Sequence, residues 1–546
     1  MKVYSLAPLV LAISCSIGFL AGCSSSSSGS NETAISGTIV AAPVNGADVS
    51  VVDASGNIVA GPVKTNGTGQ YTLSIPDSSL AQDLIVKSVG GTFKDEASGN
   101  NANAAEMYAY AAANSLSSGS NISATPGSTI IANLIMNHNK TMTQAQEAFK
   151  NAFGYTPDTS IAPADAMTAA VAATNAEKLS GFRAAAFSQL AMDLGLSQND
   201  QFAMFDALAK DLSDGVLDGV DASGVVNIGT TVFSLEADIQ NRYSLALINF
   251  KANENNLSGL DNAQIGNVPF AKIVLTNTYK IEYVQMGMMD AMAGKSTFRI
   301  HITNRQTEAD VTGLTPMLMP MMHMATMNHS SPKPVTAITE IGAGVYEVTI
   351  YYLMPSQMMD GMSMGFWDLK FTVAGEEAHF YPAVMMAMGD TLQVRLKGVM
   401  DKVMGMDLDG NMIMESRTYF IFKDNLVTGS AMGLYDFSIF IAAKEGMMDF
   451  PAIVDAGVLN PGAMNELTID IANTEVTVSA NGGAWSAPLV TANGVWSISD
   501  LALNTGENQI RVRLTVNSEV KTTDGLAQDV GVNDYQTFTV TTGMSM

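Results

Sequence analysis

Cysteine is nearly absent: Cys15 and Cys23 are the only 2 among 546 residues. No disulfide framework can staple the long remainder of the chain. Basic residues are scarce too, 27 against 52 acidic, and the formal charge of −25 argues against nucleic acid and anionic lipid surfaces as partners. The apolar run at the start, Leu6 to Leu20, is about 15 residues long and interrupted by Ser, Gly and Cys, short of the roughly 20 that a spanning helix needs. Also missing are a nucleophile elbow, a phosphate loop and a His-Glu-x-x-His pair, and copper oxidase chemistry would want more His and a Cys. The expectation is a binding or structural protein, not an enzyme.

What is present at the amino end is Lys2, the apolar run and Leu20-Ala21-Gly22-Cys23, the layout of a signal peptide over residues 1–22. The Leu-Ala-Gly-Cys end resembles the lipobox of bacterial lipoproteins, which implies thioether lipidation of Cys23 and cleavage before it. The Ser-rich stretch 23–32 then reads as a flexible tether. Ser24 is not Asp, and under the enterobacterial sorting rule this resemblance favours the outer membrane, on its periplasmic or surface face. The partner expected first is therefore a lipid bilayer, held through acylated Cys23 in the cell envelope. Without disulfides such a protein must be stable through its cores, for which 47% hydrophobic residues suffice.

Along the chain the pattern predicts a multidomain protein of transthyretin-like and Ig-like β-sandwich domains separated by an α-helical module. Residues 33–98 alternate with period two between Gly, Asn and Pro, as in Gln70-Tyr-Thr-Leu-Ser-Ile-Pro76. The Gly37 strand, the Asp53-Ala-Ser-Gly turn and Thr68-Gly-Gln-Tyr-Thr resemble a carboxypeptidase regulatory-like, transthyretin-type domain, which implies a spacer or adhesion module. Residues 99–262 are Ala-rich with helical spacing, with capping-box signals at Thr141 to Gln144 and Ser197 to Asp200 and C-terminal glycines at Gly154 and Gly195. Asp211, Asp214, Asp218 and Asp221 crowd a Gly-rich stretch, which is either a calcium loop or a plain acidic turn. Strand patterns return in three further units, 268–376, 377–455 and 463–546, the last an Ig-like sandwich carrying Trp485 and Trp496.

The chemical signal is methionine, of which 26 out of 36 fall between Met286 and Met448. In the segment 315–332, Met317, Met319, Met321, Met322, Met324 and Met327 stand with His323 and His329 among prolines that speak against a central strand. A second group is Met354, Met358, Met359, Met362 and Met364. Thioethers are soft, neutral ligands with no proton to lose, so they select Cu(I), and Ag(I) by the same softness, over Zn²⁺ and Mg²⁺. Imidazole adds affinity for copper, and His301, His323, His329 and His379 all lie in this region. Methionine also fills cores and coats adaptable partner-binding surfaces, so packing and protein docking stay open beside metal.

The Met-Pro-Met-Met-His segment, Gly344-x-Tyr346, Met354-Pro355 and Gly365-Phe-Trp367-Asp-Leu369 resemble the YtkA-like and FixH-like envelope domains. That resemblance implies an Ig-like sandwich associated with copper handling, with Met319, Met321, Met322, His323, Met354 and Trp367 in the matching positions. The insertion from Ser356 to Met364 departs from the pattern. The function expected is a tethered envelope lipoprotein that binds, sequesters or passes on copper through residues 317–329 and 354–364, with His323 a leading ligand. The alternative is a structural or adhesive surface lipoprotein whose methionine loops contact an envelope protein partner.

Overall fold

A computed structural model describes residues 31–266, 268–287, 289–406 and 411–543, so the signal peptide, Cys23 and nearly all of the tether lie outside it. The described chain is a multidomain set of β-sandwiches with an α-helical module between the first and the second. Among the described residues no helix is long and apolar enough to cross a membrane.

The first sandwich reaches further than the period-two stretch suggested. Glu106–Ala111 closes a 4-stranded sheet by pairing with Leu84–Val89, and Ser120–Asn121 joins Glu32–Thr38 in parallel. The helices then begin at Pro126 with a Thr125/Ser128 capping box. The box at Thr141 and Gln144 forms as read, and Gly154 closes that helix in the left-handed conformation at φ 78°. At Ser197 the pattern slips, because the helix starts at Gln201 after Asp200, and Ser197 donates instead to the Asp200 carboxylate.

Sandwich and helices share one continuous core, from Ile35 and Val49 through Phe149, Phe187 and Phe250. At this seam Glu96 is buried, with one carboxyl oxygen accepting from the Ala42 N–H at 2.7 Å. Burial, followed by the neighbouring Asp95, pushes its pKa up to about 8. Since the folded value lies above the unfolded one, the stability Glu96 lends is complete below about pH 4.5 and disappears as pH rises toward 8. Glu96→Gln keeps the acceptor and removes the charge. It should raise unfolding stability by about 2 kcal/mol at pH 8 and leave it near wild type at pH 4.5, read from urea unfolding at the two pH values.

The second sandwich packs a 5-stranded sheet, in the order Ile273–Leu275, Tyr279–Val284, Gly294–Asn304, Val345–Tyr352, Ile338–Gly342, on a 4-stranded sheet, in the order Asn328–His329, Met317–His323, Phe366–Val373, Glu376–Phe380. It therefore extends past 376. Trp367, Tyr352, Phe298, Phe371 and Phe380 fill the space between the sheets. The two C-terminal units are one sandwich, since Val495–Ala502 pairs with Leu434–Lys444 and completes the sheet begun by Gln393–Met406 and Met412–Thr428. Their shared core runs from Leu396 to Val540.

Candidate metal centre

The methionine segment expected as a loop is a strand, Met317–His323, paired along its length with Phe366–Val373. Pro320 is tolerated because the neighbour on its other side, Asn328–His329, reaches only Met322 and His323. On that open edge the Pro320 carbonyl accepts from the Ser330 hydroxyl at 2.9 Å.

A strand sends successive side chains to opposite faces, and this decides which residues meet. Leu318 and Met322 point inward and are buried, whereas Met317 and Met319 lie exposed on the outside. Met321 and His323 share that outer face. His323 stacks on Phe366 with ring centroids 4.9 Å apart, and its Nε2 stands 3.9 Å from Asp368, which also receives Nδ1 of His379 at 2.9 Å. Burial holds His323 below the usual imidazole range. His301 pairs separately with Asp310 at 2.7 Å.

His329 belongs to the inner face. Met322 lies directly opposite both His329 and Trp367 in the strand register, so the three form a row across the sheet. The His329 and Trp367 rings meet edge to face at 5.5 Å, and the Trp367 indole N–H donates to the Met354 carbonyl at 3.1 Å, fixing the backbone that carries the next ligand candidate. His329 Nε2 then stands 3.2 Å from Met354 Sδ, while Nδ1 is 2.7 Å from the Ser330 carbonyl.

That pair of distances sets the tautomer. A 2.7 Å approach to a carbonyl requires a proton on Nδ1. The ring is buried, which holds its pKa below the usual imidazole range and so favours the neutral ring with a single proton. Nε2 therefore presents a lone pair to the thioether, which has lone pairs and no proton. With Nδ1 carrying the proton, both atoms at this contact are electron-pair donors.

The remaining predicted residues surround this row without all entering it. Met324 and Met364 pack partly against the same core. Met327 sits half-exposed on the turn where the Met324 N–H meets the Met327 carbonyl. Met358, Met359 and Met362 are exposed on the tip of the hairpin closed by the Gln357 and Ser363 bridge. The hairpin meets the strand end because Gly365, at φ 128°, passes so close that a Cβ there would lie 1.9 Å from the His323 carbonyl oxygen. Strand pairing, not a loop folding back, brings segments 317–329 and 354–364 together.

The four carboxylates of the acidic stretch each have a partner within the chain. Asp211 is buried and accepts from the Gly219 N–H at 2.9 Å, Asp214 and Asp218 accept from Val216 and Val220, and Asp221 pairs with Lys210. Burial pushes Asp211 up to about 7. Among the described residues no group of three or more His, Cys, Asp or Glu is placed to hold a metal ion.

Sequence reasoning missed the Ser330 carbonyl and the Met447 carbonyl that receives the Ser330 N–H at 2.8 Å, since no local pattern announces either contact. No family model matches the chain. No curated protein matches it either. Among solved structures it is similar to a chimeric titin Z1Z2 carrying a KLER exogenous peptide from decorin, at 8% identity, covering 48% of this chain and 96% of that one, with a TM-score of 0.12. It is similar also to titin domains Z1Z2 in complex with telethonin, at 11% identity, 48% and 95% coverage and a TM-score of 0.13. A Corynebacterium diphtheriae protein described as membrane anchored follows at 10% identity, 47% and 52% coverage and 0.11. At these scores none of the three carries a functional argument.

Proposed function

We propose that this chain is a lipid-anchored envelope protein that binds copper as Cu(I), with Ag(I) as its analogue, through His329, Met354 and Met322 beside Trp367. The observation that carries the reading is the His329 Nε2 lone pair facing Met354 Sδ at 3.2 Å with Nδ1 committed to the Ser330 carbonyl. Metal-binding histidines are commonly oriented in this way, the second ring nitrogen donating to a carbonyl or carboxylate. A neutral ring and two thioethers favour a soft monovalent ion over Zn²⁺. The exposed Met358, Met359 and Met362 on the neighbouring hairpin give such an ion a soft path inward.

The same exposed methionines favour a second reading, in which a partner protein covers this end of the sandwich of a structural or adhesive lipoprotein. One measurement separates the two. On addition of one equivalent of Cu(I) under anaerobic conditions, the ¹⁵N resonance of His329 Nε2 and the methyl resonances of Met322 and Met354 should shift, with the Nδ1 proton retained. If only the hairpin methyl groups respond, or none do, the copper reading fails.

The anchor has its own test. Cys23→Ala should leave the precursor unprocessed and release the protein from membranes, because several acyl chains at about 0.8 kcal/mol per buried CH₂ would be lost together. Membrane association that survives a high-salt wash would contradict it.

A further inference from the structure

The last sandwich carries a second methionine arrangement that the site above does not use. Before Thr418 the long strand Met412–Thr428 has not yet met its neighbour Leu434–Lys444 and, among the described residues, pairs only with Gln393–Met406, as a two-stranded ribbon. In this register Lys402 faces Ser416 and Met404 faces Met414, with Met412 two residues before Met414 on the same strand. Residues directly opposite in an antiparallel pair share a face, and so do residues two apart. The bond from Lys402 Nζ to the Ser416 hydroxyl, at 2.8 Å, crosses that same face and closes its base. The other face carries Val403, which is buried, and Glu415, which approaches Lys444 at 3.8 Å.

Met404, Met412 and Met414 are 43%, 61% and 54% exposed. Core packing therefore does not account for them. Cross-strand pairs stand about 5 Å apart at Cβ, and the long flexible thioether side chains can turn toward a common point over that distance. Three half-exposed side chains fall far short of the roughly 800 Å² per partner that a stable protein interface uses. They do match the ligand number of a low-coordinate soft ion.

We propose that Met404, Met412 and Met414 form a second, solvent-facing site for a soft monovalent cation, Cu(I) or Ag(I), held by three thioethers on one face of the ribbon. No ring nitrogen takes part, so this site binds more weakly than the centre in the second sandwich and exchanges its ion freely with solvent. The inference rests on different residues from the proposed function and stands or falls apart from it.

The test is a titration of the full chain, carrying ¹³C-methyl methionine, with Ag(I) in chloride-free buffer. The Met404, Met412 and Met414 methyl resonances, assigned by single Leu substitutions, should move together with one equivalent that is distinct from the one moving Met322 and Met354. The variant M404L/M412L/M414L should bind one equivalent fewer, with unchanged melting and intact shifts at Met322 and Met354. Ribbon shifts without a response at Met322 and Met354 would support this site while removing the centre at His329. Ribbon methyl groups that stay still up to saturation, or a triple variant with undiminished stoichiometry, would overturn the inference.

Discussion

Replacing Met322 and Met354 together by leucine should weaken Cu(I) binding at the His329 centre by at least about 100-fold while leaving the sandwich folded. Both changes keep volume and apolar character, and swaps of this kind usually cost under about 1.5 kcal/mol even in a core. Met322 is fully buried and Met354 packs against the same cluster, so packing survives while both thioether donors disappear. A factor of 100 corresponds to about 2.7 kcal/mol, a modest loss for two of the three ligands of a soft ion. Competition against a Cu(I) chelator, with melting followed in parallel, reads both quantities. Unchanged affinity would show that His329 and Met354 hold no ion. By contrast His323→Ala should leave Cu(I) affinity within a few-fold of wild type, because that ring lies on the opposite face of the sheet against Phe366.

The largest loss of stability should come from Arg417→Met in the last sandwich. Arg417 is completely buried, with Nε on Asp401 at 2.8 Å, Nη2 on the Asn465 carbonyl at 2.7 Å, and an ion pair to Glu445. Asp401 retains Tyr419 and Lys521 as donors when the arginine is lost, but Glu445 keeps no cation that the structure shows. Stranding one member of a buried pair costs about 3–5 kcal/mol. Burial already raises the Glu445 pKa despite Arg417, and removing the guanidinium raises it further above the unfolded value. A raised folded value means stability lost as pH climbs, so the defect should be larger at pH 8 than at pH 5. Adding Glu445→Gln should recover part of it. A variant that unfolds like wild type in urea at pH 8 would show that the buried charges do not depend on one another.

How far the sequence led can be judged from particular residues. Thr141 with Gln144 sets a local cap, needing only four consecutive residues, and it forms as read. The alternation in Val345–Tyr352 likewise reports its own burial. Met317–His323 hid as a strand because Pro320 reads as a breaker, and only the short reach of Asn328–His329 shows why a proline fits there. Choosing His329 over His323 needed that strand and then the length of the turn between them, which places His329 opposite Met322. The single C-terminal sandwich was hidden for another reason. Leu434–Lys444 and Val495–Ala502 are partners across some fifty residues, and period-two patterning says that a strand has a partner without saying which.

That same pairing orders events in time. A chain made from its amino end completes the pairings of the first two sandwiches by about residue 385, whereas the last sandwich stays open until Val495–Ala502 and Gln536–Thr542 arrive. During that interval Pro451–Ile453 covers only the Ile441–Ala443 end of Leu434–Lys444, and the Leu434–Phe440 stretch presents an unpaired edge rich in Phe and Ile, the kind of edge that recruits strands from other chains. Truncation anywhere between about 460 and 495 would make this passing state permanent. The carboxy-terminal strands thus act as the chain's own guard against aggregation.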